Sequence, residues 1–382
     1  MNTELVQQVK SRFLELYKKE PILVFSPGRI NIIGEHTDYN DGFVFPAAVD
    51  KGIAAAIEKS DSGKSTAHAL DFESTVEFNL DKLKPSKEGS WENYVFGVVA
   101  EIQNRNKVVG NFNIMFAGDI PAGSGMSSSA ALENSVVFGL NELFNLGLSK
   151  HDMILISQKA EHNYVGVNCG IMDQYASMFG IENNALLLDC RTVESRPYEI
   201  DFKDHQLMLI NTNVKHSLSD SAYNDRRSAC ENIAGLLNIK ALRDATESDL
   251  LAVKDKVTPE NYQKALYVIQ ENDRAVKASK AIEENDLETL GQLIYASHDG
   301  LSNQYKVSCD ELDFLVDLAK SNQEVLGARM MGGGFGGCTI NLVSKTEAKA
   351  FADAASKAYR NQFNKDCSVY FIQLSQGTHT VN

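Results

Sequence analysis

The sequence predicts a two-domain protein that mixes helix and strand, and three observations carry that expectation. Its 382 residues suffice for two sizeable cores. From Val44 to Asp81 it reads as short strands separated by Gly and Ser, the material of a mixed sheet. Beyond Tyr223 it reads as mostly helical, and the polar stretch Arg191–Lys203, with Pro197, separates the two regimes. The expected division is residues 1–197 and residues 198–382.

Composition narrows the class. At 43% hydrophobic and 23% charged residues the chain has the balance of an ordinary soluble globular protein. A net charge of −14, without any block of basic residues, argues against a nucleic-acid partner. Cys169, Cys190, Cys230, Cys309, Cys338 and Cys367 stand singly, at neither metal-ligand nor redox spacing, and read as reduced, mostly buried thiols. Met1–Lys19 lacks the apolar core of a signal peptide, and no apolar run approaches the ~20 residues of a membrane span. The expected setting is the cytoplasm, with no membrane and no obligate protein partner.

Taken in order, Val6, Val9, Phe13, Leu16 and Tyr17 mark one face of a helix over Leu5–Tyr17, and Ile22–Phe25 reads as a short buried strand. The segment from Ser26 to Gly42 is unusual. Gly28, Gly34 and Gly42 punctuate Arg29, Glu35, His36 and Asp38, while Ile30, Ile32 and Ile33 tie the stretch to a core. Such polar groups are costly to order unless they meet a ligand, although a solvated surface loop has the same composition. Strands are expected at Phe45–Val49, Ile53–Glu58 and Thr75–Leu80, and a helix over Asn93–Asn104.

Phe112–Phe116 reads as a strand, Pro121 ends it, and Gly123 and Gly125 permit a tight loop. From Ser128 the spacing of Leu132, Val136, Val137, Leu140 and Leu143 is helical, with serines in front as N-cap residues. Free N–H groups, hydroxyls and approachable backbone together suit a phosphate. A plain capped helix is the simpler alternative, but three consecutive serines exceed what capping needs.

Ser149 is expected to cap a helix over Lys150–Asn163, and a glycine-flanked turn then delivers Asp173, which could equally be an N-cap. Ala185–Asp189 and Gln206–Asn211 read as strands. Thr258 and Pro259 open a helix, and Ser308–Glu311 reads as a capping box for another.

Gly332, Gly334 and Gly337 formally match the G-x-G-x-x-G dinucleotide pattern. That fingerprint must open a helix, whereas Cys338–Val343 alternates like a strand, so a glycine-rich connection between strands fits better. Nor does Gly123–Ser129 contain the lysine of a Walker A loop, and the protein-kinase elements are missing.

Pro121–Ala130 resembles the phosphate loop of the GHMP small-molecule kinases, Gly28–Tyr39 looks like the galactokinase signature, and Gly332–Gly337 resembles the superfamily's third, glycine-rich motif. Cys169–Gln174 and Asn213–His216 are also galactokinase-like, and the motifs fall in the expected order from about residue 20 to 345. Met126 stands where leucine is usual, a volume-conserving change. The resemblance implies an α+β fold of two domains, each with a mixed or antiparallel sheet and helices on one side, and an active site between them.

The same resemblance implies transfer of the ATP γ-phosphate to the C1 hydroxyl of galactose, with Mg²⁺. It places Glu35, His36, Thr37, Asp38, Asp173 and Tyr223 on the sugar, and Gly123, Ser124, Gly125, Met126, Ser127, Ser128 and Ser129 around the phosphates. Ser129 and Glu161 match the magnesium ligands, Asp173 the general base and Arg29 the cation beside it. A neighbouring arginine keeps an aspartate ionised and so weakens it as a base. Both residues are therefore expected to matter, with Asp173 holding the nucleophile in line. Tyr223 could also be a packing aromatic. An N-acetylgalactosamine kinase and a non-catalytic sugar sensor share these motifs, but a sensor is expected to lose part of the serine–alanine run, which is intact from Ser127 to Ala131.

Overall fold

Two sheets share one apolar layer, and several of the residues expected at a site lie beside it. The computed structural model describes residues 1–86, 90–214 and 219–381, with side chains from 224 onward in the last stretch. The strands are β1 (Ile22–Asn31), β2 (Phe43–Val44), β3 (Pro46–Lys59), β4 (Ser65–Ala69), β5 (Ser74–Phe78), β6 (Phe112–Gly118), β7 (Asn184–Asp189), β8 (Glu194–Glu199), β9 (His205–Asn211), β10 (Val325–Met330), β11 (Cys338–Ser344), β12 (Ser368–Phe371) and β13 (His379–Val381). The helices are α1 (Thr3–Tyr17), α2 (Glu92–Asn104), α3 (Ser128–Phe144), α4 (Lys150–Ala160), α5 (Met172–Phe179), α6 (Ser219–Leu237), α7 (Glu247–Ala252), α8 (Pro259–Glu283), α9 (Leu287–Gly300), α10 (Asp310–Lys320) and α11 (Ala348–Phe363).

The first sheet runs β13-β1-β3-β6-β4-β5, antiparallel except for the parallel pair β4 and β6. Alternation along β3 sorts its faces. Ala54 and Ala56 lie under Leu5, Val6, Val9 and Phe13 of α1, while Ile53, Ala55 and Ile57 pack into the larger core that α2 to α5 complete. The second sheet, β10-β11-β9-β12, is wholly antiparallel. Met208 and Ile210 of β9 face α10 and α11, whereas Leu207 and Leu209 face α8, α9 and Ile30 and Ile32 of the Ser26–Gly42 segment. That second cluster joins the two halves. A small sheet, β2-β7-β8, flanks it, and β13 returns the C-terminus to β1, with Leu23 opposite Val381.

Helix boundaries follow local chemistry. Ser149 and Asp152 form a capping box at α4, and Thr258 caps α8 ahead of Pro259. Elsewhere tertiary contacts win. The expected capping box at Ser308 does not form: Cys309 is the N-cap of α10 and the Ser308 hydroxyl goes to Asp313. The expected strands Phe45–Val49 and Ile53–Glu58 are one continuous strand, β3, because Gly52 lets it pass where a Cβ would stand 2.4 Å from the Ser26 carbonyl. The first strand runs on from Phe25 to Asn31 through a bulge between Pro27 and Arg29. Strands β4 and β8 are polar and were not expected from periodicity. The α4 helix ends at Ala160 and passes into a single π-turn, Glu161–Val165. Among the described residues no helix is long and apolar enough to cross a membrane.

Candidate active site

The bulge in β1 sets the site. At Gly28 a Cβ would meet the Met126 carbonyl at 2.6 Å, so glycine is required for the strand and the loop before α3 to touch. The Arg29 N–H donates to that same carbonyl at 3.1 Å, and the Arg29 side chain is aimed across the cleft. There Nε and Nη2 donate to Oδ1 and Oδ2 of Asp173 at 2.8 and 2.9 Å, while Nη1 reaches the Gly125 carbonyl. Burial opposes the Arg29 charge, but Asp173, Glu35 and Asp38 outweigh it and raise its proton affinity above the ordinary value. Asp173 lies in the first turn of α5, whose N-cap is Ile171, so it is free of the capping role.

A cavity of about 120 Å³ opens beside this pair, lined by Arg29, Glu35, His36, Asp38, Glu161 and Asp173 together with Gly332 and Gly333. Of the expected residues, Arg29 from β1, Glu35, His36 and Asp38 from its following loop, Glu161 from the π-turn and Asp173 from α5 thus converge. Asp38 packs against backbone, since a Cβ on Gly170 would fall 1.9 Å from its Oδ2. Burial first, and then Asp173, raise Asp38 to about 7. His36 adopts φ 62° and pairs Nδ1 with the Tyr39 hydroxyl at 2.8 Å. Burial, with Arg226 and Arg329 nearby, lowers it to about 3, so it is a neutral imidazole.

Other expected residues sit differently. Glu35 is 2% exposed, and its oxygens accept from Arg329 Nη1 at 3.2 Å, from the Gly332 N–H at 2.7 Å and from Asn31 Nδ2 at 3.1 Å. It ties the Ser26–Gly42 segment to the glycine-rich turn as well as lining the cavity. The Thr37 hydroxyl is buried against the Gly34 and Phe43 carbonyls and does not line the cavity. The Tyr223 side chain, with Lys215 and His216, lies outside the described residues.

The loop before α3 is an open cradle. Gly123 and Gly125 have φ of 66° and 71°, and a Cβ on Gly125 would come within 3.1 Å of the Met331 carbonyl, so the loop rests on the glycine-rich turn. That turn joins β10 to β11 and opens no helix. Ser124 is buried with its hydroxyl unpartnered, whereas Gly123 and Ser128 face solvent and Met126 is wholly buried in the shared apolar layer. Ser127 starts α3 in the left-handed region without capping it, and its hydroxyl goes instead to Asp173. Ser127 thus spends its hydroxyl on Asp173 instead of on the helix end. Burial and then Asp173 raise Glu161 to about 7, against the lowering influence of Cys169, Ser129 and Gln174 beside it. A hydroxyl and a carboxylate are hard oxygen ligands of the kind a magnesium–phosphate complex uses. Among the described residues no cluster of three His, Cys, Asp or Glu could hold a metal unaided.

Sequence reasoning missed Arg329. It is 0% exposed and donates to the Ile32 carbonyl at 2.9 Å and the Asn31 carbonyl as well as to Glu35, so it anchors the Ser26–Gly42 segment to β10. Its position directly before the glycine-rich turn was the only available signal.

Comparison with known proteins agrees with this arrangement. Residues 11–59 match the galactokinase galactose-binding signature, residues 93–181 the GHMP kinases N terminal domain and residues 278–361 the GHMP kinases C terminal domain. The chain is 41% identical to a galactokinase of Clostridium beijerinckii, covering 99% of this chain and 100% of that one. It is 39% identical to a galactokinase of Thermotoga neapolitana, over 94% of this chain and 99% of that one. Lactococcus lactis galactokinase, solved in complex with galactose, superposes with a TM-score of 0.94 at 34% identity, covering 98% of this chain and 99% of that one. The mevalonate kinase of Methanococcus jannaschii, 16% identical, shares the fold with a TM-score of 0.67 over 94% of this chain and 100% of its own. With identity of this level over its whole length, and Arg29, Asp38 and Asp173 assembled beside the glycine loop, the chain belongs to the galactokinase family of the GHMP kinases.

Proposed function

We propose that the protein is an ATP-dependent sugar kinase that transfers the γ-phosphoryl group of ATP to the C1 hydroxyl of galactose, giving galactose 1-phosphate and ADP in the cytoplasm. The observation that carries the reading is the Arg29–Asp173 pair, which stands between an acid-lined cavity and the glycine loop. Asp38 supplies oxygen to sugar hydroxyls and so distinguishes epimers, because a hydroxyl placed wrongly leaves a desolvated carboxylate unpaired. His36 adds a neutral ring, and Glu35 mainly fixes the segment that presents them.

On the nucleotide side, the N–H groups and hydroxyls from Gly123 to Ser129 take the phosphates, with the unpartnered Ser124 hydroxyl among the donors. Ser129 and Glu161 would hold Mg²⁺, which neutralises charge on the β- and γ-phosphates. Arg29 stabilises the charge of the transferring group. Asp173 already accepts from Arg29 and Ser127, which fixes its carboxylate as an orienting acceptor for the sugar hydroxyl. A loose phosphoryl-transfer transition state asks for positioning more than for early deprotonation, and the proton passes to Asp173 as the new P–O bond completes.

The test compares ADP release with ATP and Mg²⁺ in the presence of galactose, glucose or N-acetylgalactosamine. Release with galactose is expected. A preference for N-acetylgalactosamine would reassign the sugar, and release with none of the three would turn the protein into a sensor.

A further inference from the structure

We infer that Glu133 is a positioning residue for the cation site: it fixes the Gln174 side chain, which in turn holds the Glu161 carboxylate toward Ser129. The inference rests on the proposed assignment of Ser129 and Glu161 to the metal.

Ser129 and Glu133 are four residues apart on α3 and therefore share a face, with Glu133 one turn deeper. Glu133 is 0% exposed, and no described ion pair involves it. Its contact is an amide: Gln174 Nε2 stands 3.3 Å from Glu133 Oε2 and 2.9 Å from Glu161 Oε2. One NH₂ group therefore bridges the two carboxyl groups. The backbone of Gln174 is gripped from the same helix, because Asn134 Nδ2 donates to the Gln174 carbonyl at 2.9 Å and Asn134 Oδ1 accepts from Ser157 Oγ at 2.9 Å. Adjacent residues of α3 thus hold Gln174 by its side chain and by its main chain.

Stability alone does not account for an acid here. A buried carboxyl group without a cation is costly, and an apolar side chain of the same volume would pack without that penalty. Glu133 Oε1 is buried without a hydrogen-bond partner, so the local network does not satisfy the group. What the acid supplies is an acceptor at the one place that keeps the Gln174 amide between α3 and the π-turn. Partners behind a metal ligand set its orientation, and losing one weakens metal binding by about 10–100-fold.

The experiment uses the full chain with ADP and Mn²⁺ as the probe, and free Mn²⁺ is followed by electron paramagnetic resonance. Galactose affinity by calorimetry and the melting temperature accompany each variant. Glu133→Leu removes the acceptor and is expected to weaken Mn²⁺ binding by about tenfold or more while galactose affinity holds. Glu133→Gln keeps a carbonyl acceptor and is expected to restore Mn²⁺ binding nearly to the wild-type level. Gln174→Leu should match Glu133→Leu, and the double variant should be no worse than either, as expected for residues acting in one chain of contacts. Unchanged Mn²⁺ affinity in Glu133→Leu would overturn the inference, as would a parallel loss of galactose affinity or a failure of Glu133→Gln to rescue. Absence of Mn²⁺ binding by the wild-type protein would overturn the metal assignment itself, and the inference with it.

Discussion

Arg29 and Asp173 form a two-point ion pair, Nε to Oδ1 at 2.8 Å and Nη2 to Oδ2 at 2.9 Å, and the Ser127 hydroxyl also donates to Oδ2. A carboxylate has about four lone-pair positions, so these three donors leave one for a substrate hydroxyl. Asp173→Asn keeps the shape but loses the charge and the proton acceptor, and turnover is expected to fall about 10²–10⁴-fold with a smaller change in galactose KM. Arg29→Lys cannot span both oxygens and is expected to lower turnover as well. Steady-state rates decide both. Near-wild-type turnover in Asp173→Asn would remove the base role, and an Arg29→Ala variant altered only in sugar affinity would remove the stabilising one.

Gly170 is the backbone against which Asp38 rests. A Cβ there would fall 1.9 Å from Asp38 Oδ2, so Gly170→Ala must push the carboxylate out of place. Galactose KM is expected to rise about tenfold or more while ATP KM stays near its wild-type value, because a displaced hydrogen-bond acceptor costs about 1.4 kcal/mol or more. A kinetic split of this kind is easily measured. Equal effects on both KM values would show that the turn has collapsed rather than that Asp38 has moved.

Arg329 is a fully buried cation whose partners lie 294 or more residues away in sequence, apart from the neighbouring Met330 carbonyl. Arg329→Met leaves Glu35 without its cation and three carbonyls, those of Asn31, Ile32 and Met330, without their donor. Breaking such a buried pair costs about 3–5 kcal/mol, which should appear as a lower urea midpoint with ATP and galactose absent. A midpoint unchanged from wild type would contradict the anchoring role.

The unliganded protein should respond to pH through its buried acids. Asp38 rises from 3.8 and Glu161 from 4.5, each to about 7, because burial and then Asp173 disfavour the charged form. Between about pH 4 and 7 the folded state therefore binds more protons at these two groups than the unfolded state does. Their contribution to stability is full at the acid end and declines as pH rises through that window. Asp38→Asn and Glu161→Gln are each expected to flatten the fall of melting temperature with pH, measured without ligand. A slope as steep as that of the wild type in both variants would count against the raised proton affinities.

Much of the site was legible because its chemistry is packed into short runs. Glycines interleaved with Arg29, Glu35, His36 and Asp38 mark an unusually polar segment tied to a core, and Gly123–Ser129 mark a glycine–serine helix start of the kind that suits an anion. Within those runs, individual roles were harder to read. Thr37 faces the Gly34 and Phe43 carbonyls, and Met126 packs in the core while its carbonyl takes the Arg29 N–H. Which way a side chain points depends on the bulge after Pro27 and on the left-handed turns around it, and periodicity does not report either.

Sequence by itself determined which groups stand together: an acid-rich segment punctuated by glycines, a glycine–serine helix start without a lysine, and a glycine connection that opens no helix. It also determined most helices, since caps and apolar spacing are local. Only the tertiary structure decided that β1 and β3 run long, that β4, β8 and β13 are strands at all, that Ser127 turns to Asp173 and that Arg329 and Glu35 lock the two halves together. The reason is physical. Strand pairing, desolvation and buried ion pairs take their free energy from partners far away in the chain, so a stretch read alone carries the groups but not the company that assigns their work.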